Sequence, residues 1–596
     1  MDQQHLGLDV EARQRHARLL MIGDRRAPTA KTPALVRLDG DMELPVSLAP
    51  FSCMREGTSL PARFTFLGRG PLCPPFQATG PNWSLELGQV LPPSLDEAEV
   101  GDRGSSTPVL CLSLERMRHD AALPDIEQPA IVVLSDAVQL AHRTDSLPQA
   151  LLTIRCAYPA ALIWCPGLSG PDNLALLTWF GVDLHDMGRS RQARAAELLL
   201  TSSGPRPADS ELEQSTDDAA QLAAWMNEMA EVRAALRGSR LRELVEKRAL
   251  NSARFIEHLR HHDLMVAQSP RQALCANVHR DRVLRCHSSL IRTDPLIREW
   301  PQRIAKEYTP DASRQKLLIL LPCSARKPYR VSRSHKRFRH AIGYTTACEV
   351  SITSPLGLVP RELEELWPVC HYDIPVTGDW DAEELSIVQG ALKGLLQRIG
   401  FERIINHSGI DISSFYEGIE VVDTRGDSKA TSSEALARLS AALTTAKEDL
   451  GLSEERGRVR RRIEYATISR WLFGSDAWMK GCNLAGRPPH FRIEKNGGPF
   501  AQWNHISAGF SFTKAALPVL AEHGTLPTAD ITLPHDWTGD VFGPMVLRAD
   551  ASIRAGEIVL LHSDGRLVGS AVAQAPSWEW EGGCGRLAKV RHRLKG

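Results

Sequence analysis

The chain has 596 residues, about four times a typical ~150-residue domain, with 43% hydrophobic and 24% charged side chains, so several globular domains are expected and fibrous or disordered classes are excluded. Lys plus Arg (71) balances Asp plus Glu (71), which leaves no bulk field for nucleic acid; any anion binding must come from local patches, and the excess of Arg over Lys, whose plainer source is genomic base composition, suits bidentate phosphate contacts. The 12 cysteines include no C-x-C or C-x-x-C pair, which argues against a zinc knuckle and for a reducing, cytoplasmic setting, while the polar stretch from Met1 to Arg18 and the lack of long apolar runs argue against a signal peptide or membrane span.

In chain order, PALVRLDG and ARFTFLG read as strands. From residue 130 to 200 short apolar runs alternate with amphipathic stretches, the pattern of parallel strands and crossover helices, which fits a (β/α) barrel or a shorter open sheet. From Asp218 the pattern is helical, with Leu222, Trp225, Met226, Met229, Val232 and Leu236 on one stripe and Gly238 as a break. His258 and His262, four apart, read as solvated cations near a helix C-terminus, with a shared metal as the alternative.

After a poorly patterned connector from Ser269 to about Arg314, a second α/β region follows: strands KLLILLP and ACEVSITS, a helix at RELEELW, a helix from Ala382 to about Ile399, strands RIINHS and GIEVVDT, and a helix from Ser433 to Glu448. That order predicts a three-layer sandwich around a largely parallel sheet, whose ligands sit at strand carboxyl ends. The Arg-rich stretch 455–466 leads into a small α+β segment, and the last sixty or so residues read as a compact β-barrel or sandwich. The predicted fold class is therefore α/β multidomain, with boundaries at 1–268, 269–452, 453–532 and 533–596.

Reactive groups concentrate in PCSARKPYRVSRSHKRF, residues 322–338, where Cys323, Lys327, Tyr329, Ser332 and His335 supply a thiol, an amine, a phenol, a hydroxyl and an imidazole. Arg326, Lys327, Arg330, Arg333, Lys336, Arg337 and Arg339 lie among them without an acid, a field that should lower a thiol pKa and hold phosphates. A solvated basic loop that grips RNA backbone is the plainer reading. In HYDIPVTGDW, Asp373 sits between aromatic and apolar neighbours, where a partly desolvated carboxylate can serve as general base; Asp379 or Asp381 better suits the capping of the helix that follows.

Pro322, Cys323, Lys327, Pro328, Tyr329, Ser332 and His335 form P-C-x-x-x-K-P-Y-x-x-S-x-x-H, which resembles the signature of the archaeosine synthases, paralogues of archaeal tRNA-guanine transglycosylase. SPLGLVPRELE and HYDIPVTGDW are similar to that family's next blocks, IWCPGLSGPDNLALLTWFGVDLHD to its transglycosylase-like barrel, and the C-terminal segment to a PUA domain. The resemblance implies a degenerate, inactive transglycosylase-like (β/α) barrel at 1–268, a three-layer catalytic core at 269–452, a small α+β domain at 453–532 and a β-barrel PUA domain at 533–596.

It also implies a transferase of tRNA modification. Free lysine adds through its ε-amine to the nitrile of 7-cyano-7-deazaguanine in the tRNA D-loop, giving an amidine, and a radical-SAM partner then releases archaeosine; an older description of the family has glutamine as nitrogen donor. No cofactor or metal is implied. A lysine amine with pKa near ~10.4 is only about 0.04% neutral at pH 7, worth ~4.6 kcal/mol of barrier, so a base is required, and Asp373 is suited to accept the proton. His335 or Tyr329 is the expected proton donor to the nitrile nitrogen, and Cys323 can form a thioimide that lysine displaces. Arg326, Arg330, Arg333, Lys336 and Arg337, with Arg586, Lys589, Arg591 and Arg593 of the C-terminal segment, are expected to hold tRNA backbone. A true transglycosylase needs a D-S-G-G-F-type strand end and a cysteine-rich zinc site; here the corresponding stretch is SDAVQLAH and no cysteines cluster. Base exchange and a non-catalytic tRNA-binding subunit are the alternatives.

Overall fold

The computed structural model describes residues 6–594 except 57–62, 71, 73–81, 87–108, 122, 124–127, 210, 213–214, 269–281, 414, 416–417, 488–489, 506, 534–536 and 538. The connector expected to start at Ser269 lies outside the described residues as far as residue 281. The chain divides into two compact units, one of residues 1–277, 528–566 and 571–591, the other of residues 278–527, 567–570 and 592–596. The architecture is mixed α/β. Among the described residues no helix is long and apolar enough to cross a membrane.

In the first unit, β1 (Leu8–Gln14), β2 (Ala17–Gly23) and β3 (Pro28–Lys31) form an antiparallel sheet. An eight-stranded sheet follows, built from β4 (Ala34–Leu38), β5 (Phe51–Glu56), β6 (Arg63–Gly68), β7 (Asn82–Glu86), β8 (Val109–Leu112), β9 (Ile131–Leu134), β10 (Leu162–Trp164) and β11 (Leu184–His185), in the order β7-β6-β5-β4-β11-β10-β9-β8. From β5 to β8 in that order neighbours are parallel; β6 and β7 add antiparallel strands. Side chains alternate between two faces. Val36, Phe51, Phe66, Val109, Ile131, Val133, Leu162 and Leu184 meet in one core, whereas Leu35, Leu110, Val132, Leu134 and Ile163 face the helices. A core that draws on both ends of one sheet requires the sheet to curl.

Its helices are α1 (Leu114–His119), α2 (Ala137–Leu140), α3 (Ser146–Ala157), α4 (Leu174–Trp179) and α5 (Gly188–Ala195); a hairpin, β12 (Leu198–Thr201) and β13 (Gly204–Pro207), then leads to α6 (Asp218–Arg237), α7 (Leu241–Ala249) and α8 (Ala253–Gln268). Asp217 caps α6 by accepting from the Ala220 N–H, and the helix ends at Gly238, the break that the sequence predicts. His258 and His262 do not fit the expectation of solvated cations: both are buried, and burial pushes both imidazoles below their ordinary range, because α8 turns that face into the unit's interior against Phe180 and His16.

In the second unit, β14 (Leu284–Arg285) precedes α9 (Pro295–Lys306), β15 (Leu317–Pro322), α10 (Arg333–Ile342), β16 (Cys348–Thr353), β17 (Gly357–Pro360), β18 (Tyr372–Asp373), α11 (Ala382–Arg398), β19 (Arg403–Asn406), β20 (Glu420–Asp423), α12 (Ser433–Asp449) and α13 (Gly457–Phe473). The sheet order is β17-β16-β15-β19-β20, parallel except for β17. Helices α10 and α12 cover one face, packing Phe338, Ile342, Leu439 and Leu443 on Leu317, Ile319 and Leu321; α9 and α11 pack together beside β17. Fully burying a side chain such as Phe338 contributes about 1.5–3 kcal/mol. RELEELW is not the expected helix: only Arg361–Leu363 form a 3-10 turn, since its charged side chains are drawn inward by partners described below.

Four antiparallel strands, β21 (Cys482–Arg487), β22 (His490–Lys495), β23 (Gly498–Asn504) and β24 (Gly509–Phe512), complete the segment after α13. Then β25 (Thr528–Ile531), β26 (Val541–Phe542), β27 (Val546–Ala549), β28 (Ile558–Ser563), β29 (Arg566–Ala573) and β30 (Arg586–Arg593) form a six-stranded sheet.

Candidate active site

β15 is the strand at which the sheet order reverses, with β16 on one side and β19 on the other, and crevices at such switch points hold ligands beyond the strand carboxyl ends. Cys323 is the first residue past β15 and is half-buried. The Thr353 hydroxyl, at the carboxyl end of the neighbouring β16, lies beside its thiol and works to lower its pKa. Burial pushes the thiol up, against the smaller pull of Thr353, Lys327 and the residue's own N–H. The sequence expectation of a lowered thiol pKa is therefore corrected: most of the loop's cations are exposed or paired elsewhere, and desolvation wins.

Lys327 is half-buried, its Nζ 3.8 Å from the centroid of the Tyr372 ring. Burial lowers the amine, opposed by Cys323, Asp373 and Cys286. Tyr329 is buried, stacks on His335 at 5.3 Å between ring centroids, and places its hydroxyl 2.6 Å from that of Tyr372, which in turn bonds Thr353 Oγ1. Hydroxyls thus run from Tyr329 through Tyr372 to Thr353, which stands beside the Cys323 thiol, and burial pushes both phenols above their ordinary range.

Ser332 is the N-cap of α10: its Oγ accepts from the His335 N–H at 3.2 Å, and Gly343 at φ +67° ends the helix. The cap points His335 inward. Its Nε2 lies 3.0 Å from the Pro322 carbonyl and its Nδ1 3.0 Å from Arg361 Nη2. A guanidinium only donates, so Nδ1 accepts, Nε2–H donates, and the ring is neutral. Burial, then the Arg361 charge, pushes this imidazole down to about 3. With its one N–H engaged on Pro322, His335 braces the loop, and the proton-donor role expected from the sequence does not fit this geometry.

Asp373 lies on β18, whose parallel pairing with β14 brings in residues near 286. It is not desolvated as expected. Its side chain is 61% exposed, and Oδ2 meets His287 Nε2 at 3.1 Å.

Arg330 does not face solvent phosphate. It is enclosed by Glu364, by Glu365 at 3.0 Å and by Glu464 at 3.4 Å, and it donates to the Arg361 carbonyl. Arg326, Arg333 and Lys336 are exposed and form no ion pair among the described residues; Arg337 is exposed and donates to the Thr431 carbonyl at 3.1 Å. In the C-terminal sheet, Arg586 is paired with Asp540 at 3.0 Å, while Lys589, Arg591 and Arg593 alternate along β30 on its exposed side.

Sequence reasoning missed Thr353, Tyr372, His287 and Arg361. Thr353 was findable as the carboxyl end of a strand adjacent to β15, and Tyr372 as the neighbour of Asp373. Nothing signals His287, which the β14–β18 pairing brings to Asp373 from 86 residues away. Arg361 belongs to a buried network in which Glu349 accepts from Arg361 at 2.9 Å and Arg460 at 2.7 Å; although burial works the other way, these two cations hold its carboxyl well below the usual range. Among the described residues no group of three His, Cys, Asp or Glu is placed to hold a metal ion.

Residues 297–443 match a family model described as a domain of unknown function, DUF5591. The Methanosarcina acetivorans protein named archaeosine synthase subunit alpha is 27% identical over 523 residues, covering 79% of this chain and 81% of that protein. Thermoplasma acidophilum archaeosine synthase subunit alpha is 26% identical over 469 residues, 76% of this chain and 86% of its own. Haloferax volcanii archaeosine synthase is 31% identical over 367 residues, 55% of this chain and 60% of its own. A crystal structure of AF0587, titled a protein of unknown function, is similar at TM-score 0.39 and 27% identity, covering 50% of this chain and 99% of that one. The resemblance to archaeosine synthases is borne out by the similarity to the three proteins of that name.

Proposed function

We propose that this chain is a tRNA-modifying transferase of archaeosine biosynthesis, and that its reaction is the addition of an amine to the nitrile of 7-cyano-7-deazaguanine in the tRNA D-loop. The observation that carries this reading is the clustering of Cys323, Lys327, Thr353, Tyr372 and Asp373 around the carboxyl end of β15, in a chain similar to proteins named archaeosine synthase over 79% of its length. The Cys323 thiol adds across C≡N, its sulfur bonding to carbon and its proton passing to nitrogen, which yields a thioimide. The ε-amine of free lysine then attacks the same carbon, the C–S bond breaks, and the product is an N-substituted amidine with the thiol restored. The hydroxyl series Thr353, Tyr372 and Tyr329 supplies a path for the proton. Lys327, beside Cys323, offsets part of the burial that disfavours the thiolate.

Asp373 takes the proton of the incoming ammonium. Its exposure, together with His287, lets it do so at the mouth of the site and hand the proton to solvent. The exposed cations Arg326, Arg333, Lys336 and Arg337, with Lys589, Arg591 and Arg593, hold RNA backbone. In this reading residues 1–268 are an inactive transglycosylase-like domain, 269–452 the catalytic core, 453–532 a small α+β domain and 533–596 a PUA module; the chain works in the cytoplasm, and a radical-SAM protein completes the product.

The test is mass analysis of nucleosides from cyano-base tRNA incubated with EDTA-treated protein and either lysine or glutamine. A lysine-sized gain with lysine alone is expected. A gain that requires nucleotide, or appears only with glutamine, overturns the mechanism.

A further inference from the structure

Residues 456–462 hold five arginines, none of which takes part in the chemistry or the RNA contacts proposed above. Helix α13 sorts them by face. Arg460 and Arg461 turn inward and are paired, Arg460 with Glu349 at 2.7 Å and Arg461 with Glu464 at 2.5 Å and Glu365 at 3.2 Å. Arg456, Arg458 and Arg462 are exposed, as is Arg487 at the end of β21. Arg458 stands one turn before Arg462 on the same face, and it donates to the Gly486 carbonyl at 3.4 Å, which sets the start of α13 against the end of β21. Among the described residues Arg458, Arg462 and Arg487 form no ion pair. Nor do these cations serve the helix: its N-cap is Arg456, which makes no side-chain capping bond, and no acid stands in the first turn. Positive charge at that end opposes the helix dipole. A local rule broken without a structural return marks a functional position.

Arg456 adds an aromatic group to this stripe. Its guanidinium lies 4.6 Å from the centroid of the Tyr344 ring, and Tyr344, just past α10, is 40% exposed. The backbone keeps the tyrosine there: its carbonyl accepts from the Glu455 N–H at 2.9 Å, and Thr345 bridges to Glu454. Glu454 meets Arg456 at 2.6 Å, but Lys447 meets the same carboxylate at 2.7 Å, so the three side chains keep a net positive charge. An aromatic ring backed by a cation and open to solvent is a platform on which a base stacks.

We propose that Tyr344, Arg456, Arg458, Arg462 and Arg487 form an RNA-binding surface, in which Tyr344 stacks on an unpaired base and the arginines take the phosphates beside it. RNA uses both features, planar bases and a run of phosphates, whereas an acidic protein would use the cations and leave the open ring without a task. That the RNA is a tRNA rests on the function proposed above. The surface itself is read from binding and not from turnover.

The full chain is titrated by filter binding, over a range of salt, with an unmodified tRNA transcript and with a blunt RNA duplex of equal nucleotide count, which has no unpaired base. Tyr344→Ala should weaken tRNA binding about tenfold, leave its salt slope alone and leave duplex binding unchanged, while Tyr344→Phe should bind as the wild type does. Arg458→Gln combined with Arg462→Gln should lower the slope of log K against log salt for tRNA by roughly 0.7 to 0.9 per residue. Should Tyr344→Ala not fold, Tyr344→Leu, apolar but not planar, takes its place, and the pair of exposed arginines decides if neither folds. Unchanged tRNA affinity without the ring, an equal loss on duplex and tRNA, or an unchanged slope in the arginine variant overturns the proposal, the last leaving the stripe to an acidic protein. These results stand apart from the assigned reaction: absence of the lysine-sized mass gain, with the binding differences intact, would sink the reaction and leave the surface in place.

Discussion

The eight-stranded sheet of the first unit and the five-stranded sheet of the second both end parallel strands in reactive side chains. At or just past the ends of β9, β10 and β11 stand Ser135, Cys165, His185 and Asp186; beyond β15 stand Cys323 and Lys327. In the first set Ser135, Asp186 and one ring nitrogen of His185 are bonded internally, while the buried His185 Nε2 has no hydrogen-bond partner among the described residues. Ser135 donates to the Leu112 carbonyl, Ser169 Oγ meets His185 Nδ1 at 2.7 Å, and Asp186 accepts from Trp164 Nε1 and from the N–H groups of Gly167 and Gly188. Cys165, His185 and Asp186 are enclosed, and burial pushes the thiol and the carboxyl up and the imidazole down to about 3. In the second set Cys323 and Lys327 are half-buried and Asp373 is exposed, so a ligand can reach them. Topology places both sets; solvent access separates a packed strand end from one open to a ligand.

The strongest way to break this contrast is to remove the two thiols in turn. Cys323→Ala should cut turnover on the order of 10³-fold or more, the scale of losing a nucleophile, while tRNA binding holds; Cys165→Ala should leave turnover unchanged. Single-turnover rates beside filter binding check both, and equal rates would erase the distinction. Asp373→Asn should cost at least ~10²-fold in rate with binding retained, the usual size of a general-base effect, and near-normal turnover removes Asp373 from the mechanism.

Charge comes next. Replacing Lys589, Arg591 and Arg593 by Ala should flatten the salt dependence of tRNA binding by roughly 0.7 to 0.9 in slope per lost phosphate contact, whereas Arg330→Ala should leave the slope alone because carboxylates enclose that side chain. Substitution is preferable to deleting the C-terminal sheet, since Glu579 is buried and pairs with Arg13 within the first unit.

The smallest effect concerns acid. His335 has a folded pKa of about 3, below the ordinary value of 6.5, so between those values the unfolded chain binds the extra proton. Its contribution to stability is full above about 6.5 and is lost progressively as pH falls toward 3, by at most ~1.4 kcal/mol per pH unit. His335→Gln should flatten that part of the stability curve in denaturant titrations from pH 7 to 4; an unchanged slope would show that other groups set it.

Much of the second unit was legible. LLILLP is a buried parallel strand and reads as one unbroken apolar run, and α11 announces itself through the capping box of Asp381 and Glu384. The loop motif pointed to the carboxyl end of β15, and the structure keeps Cys323 and Lys327 together there because they are local in sequence. What failed was non-local. Arg330 and the charges of RELEELW look solvent-facing until α13 supplies Arg460, Arg461 and Glu464 to bury them with partners. Asp373 looks desolvated beside Tyr372 because one-dimensional neighbours say nothing about which face of a two-residue strand is open. His335 looks like an acid until Arg361 is seen at its other nitrogen.

The central claim is that the nitrile of the cyano base meets Cys323 at the carboxyl end of β15. Protection of thiols from alkylation tests it directly, with tRNA bearing the cyano base compared with the same tRNA bearing guanine at that position, in the absence of lysine. The account predicts that only the cyano-base tRNA slows labelling of Cys323 well beyond simple occupancy, while Cys156 labels at the same rate with either RNA. Equal labelling of Cys323 with both tRNAs would contradict it.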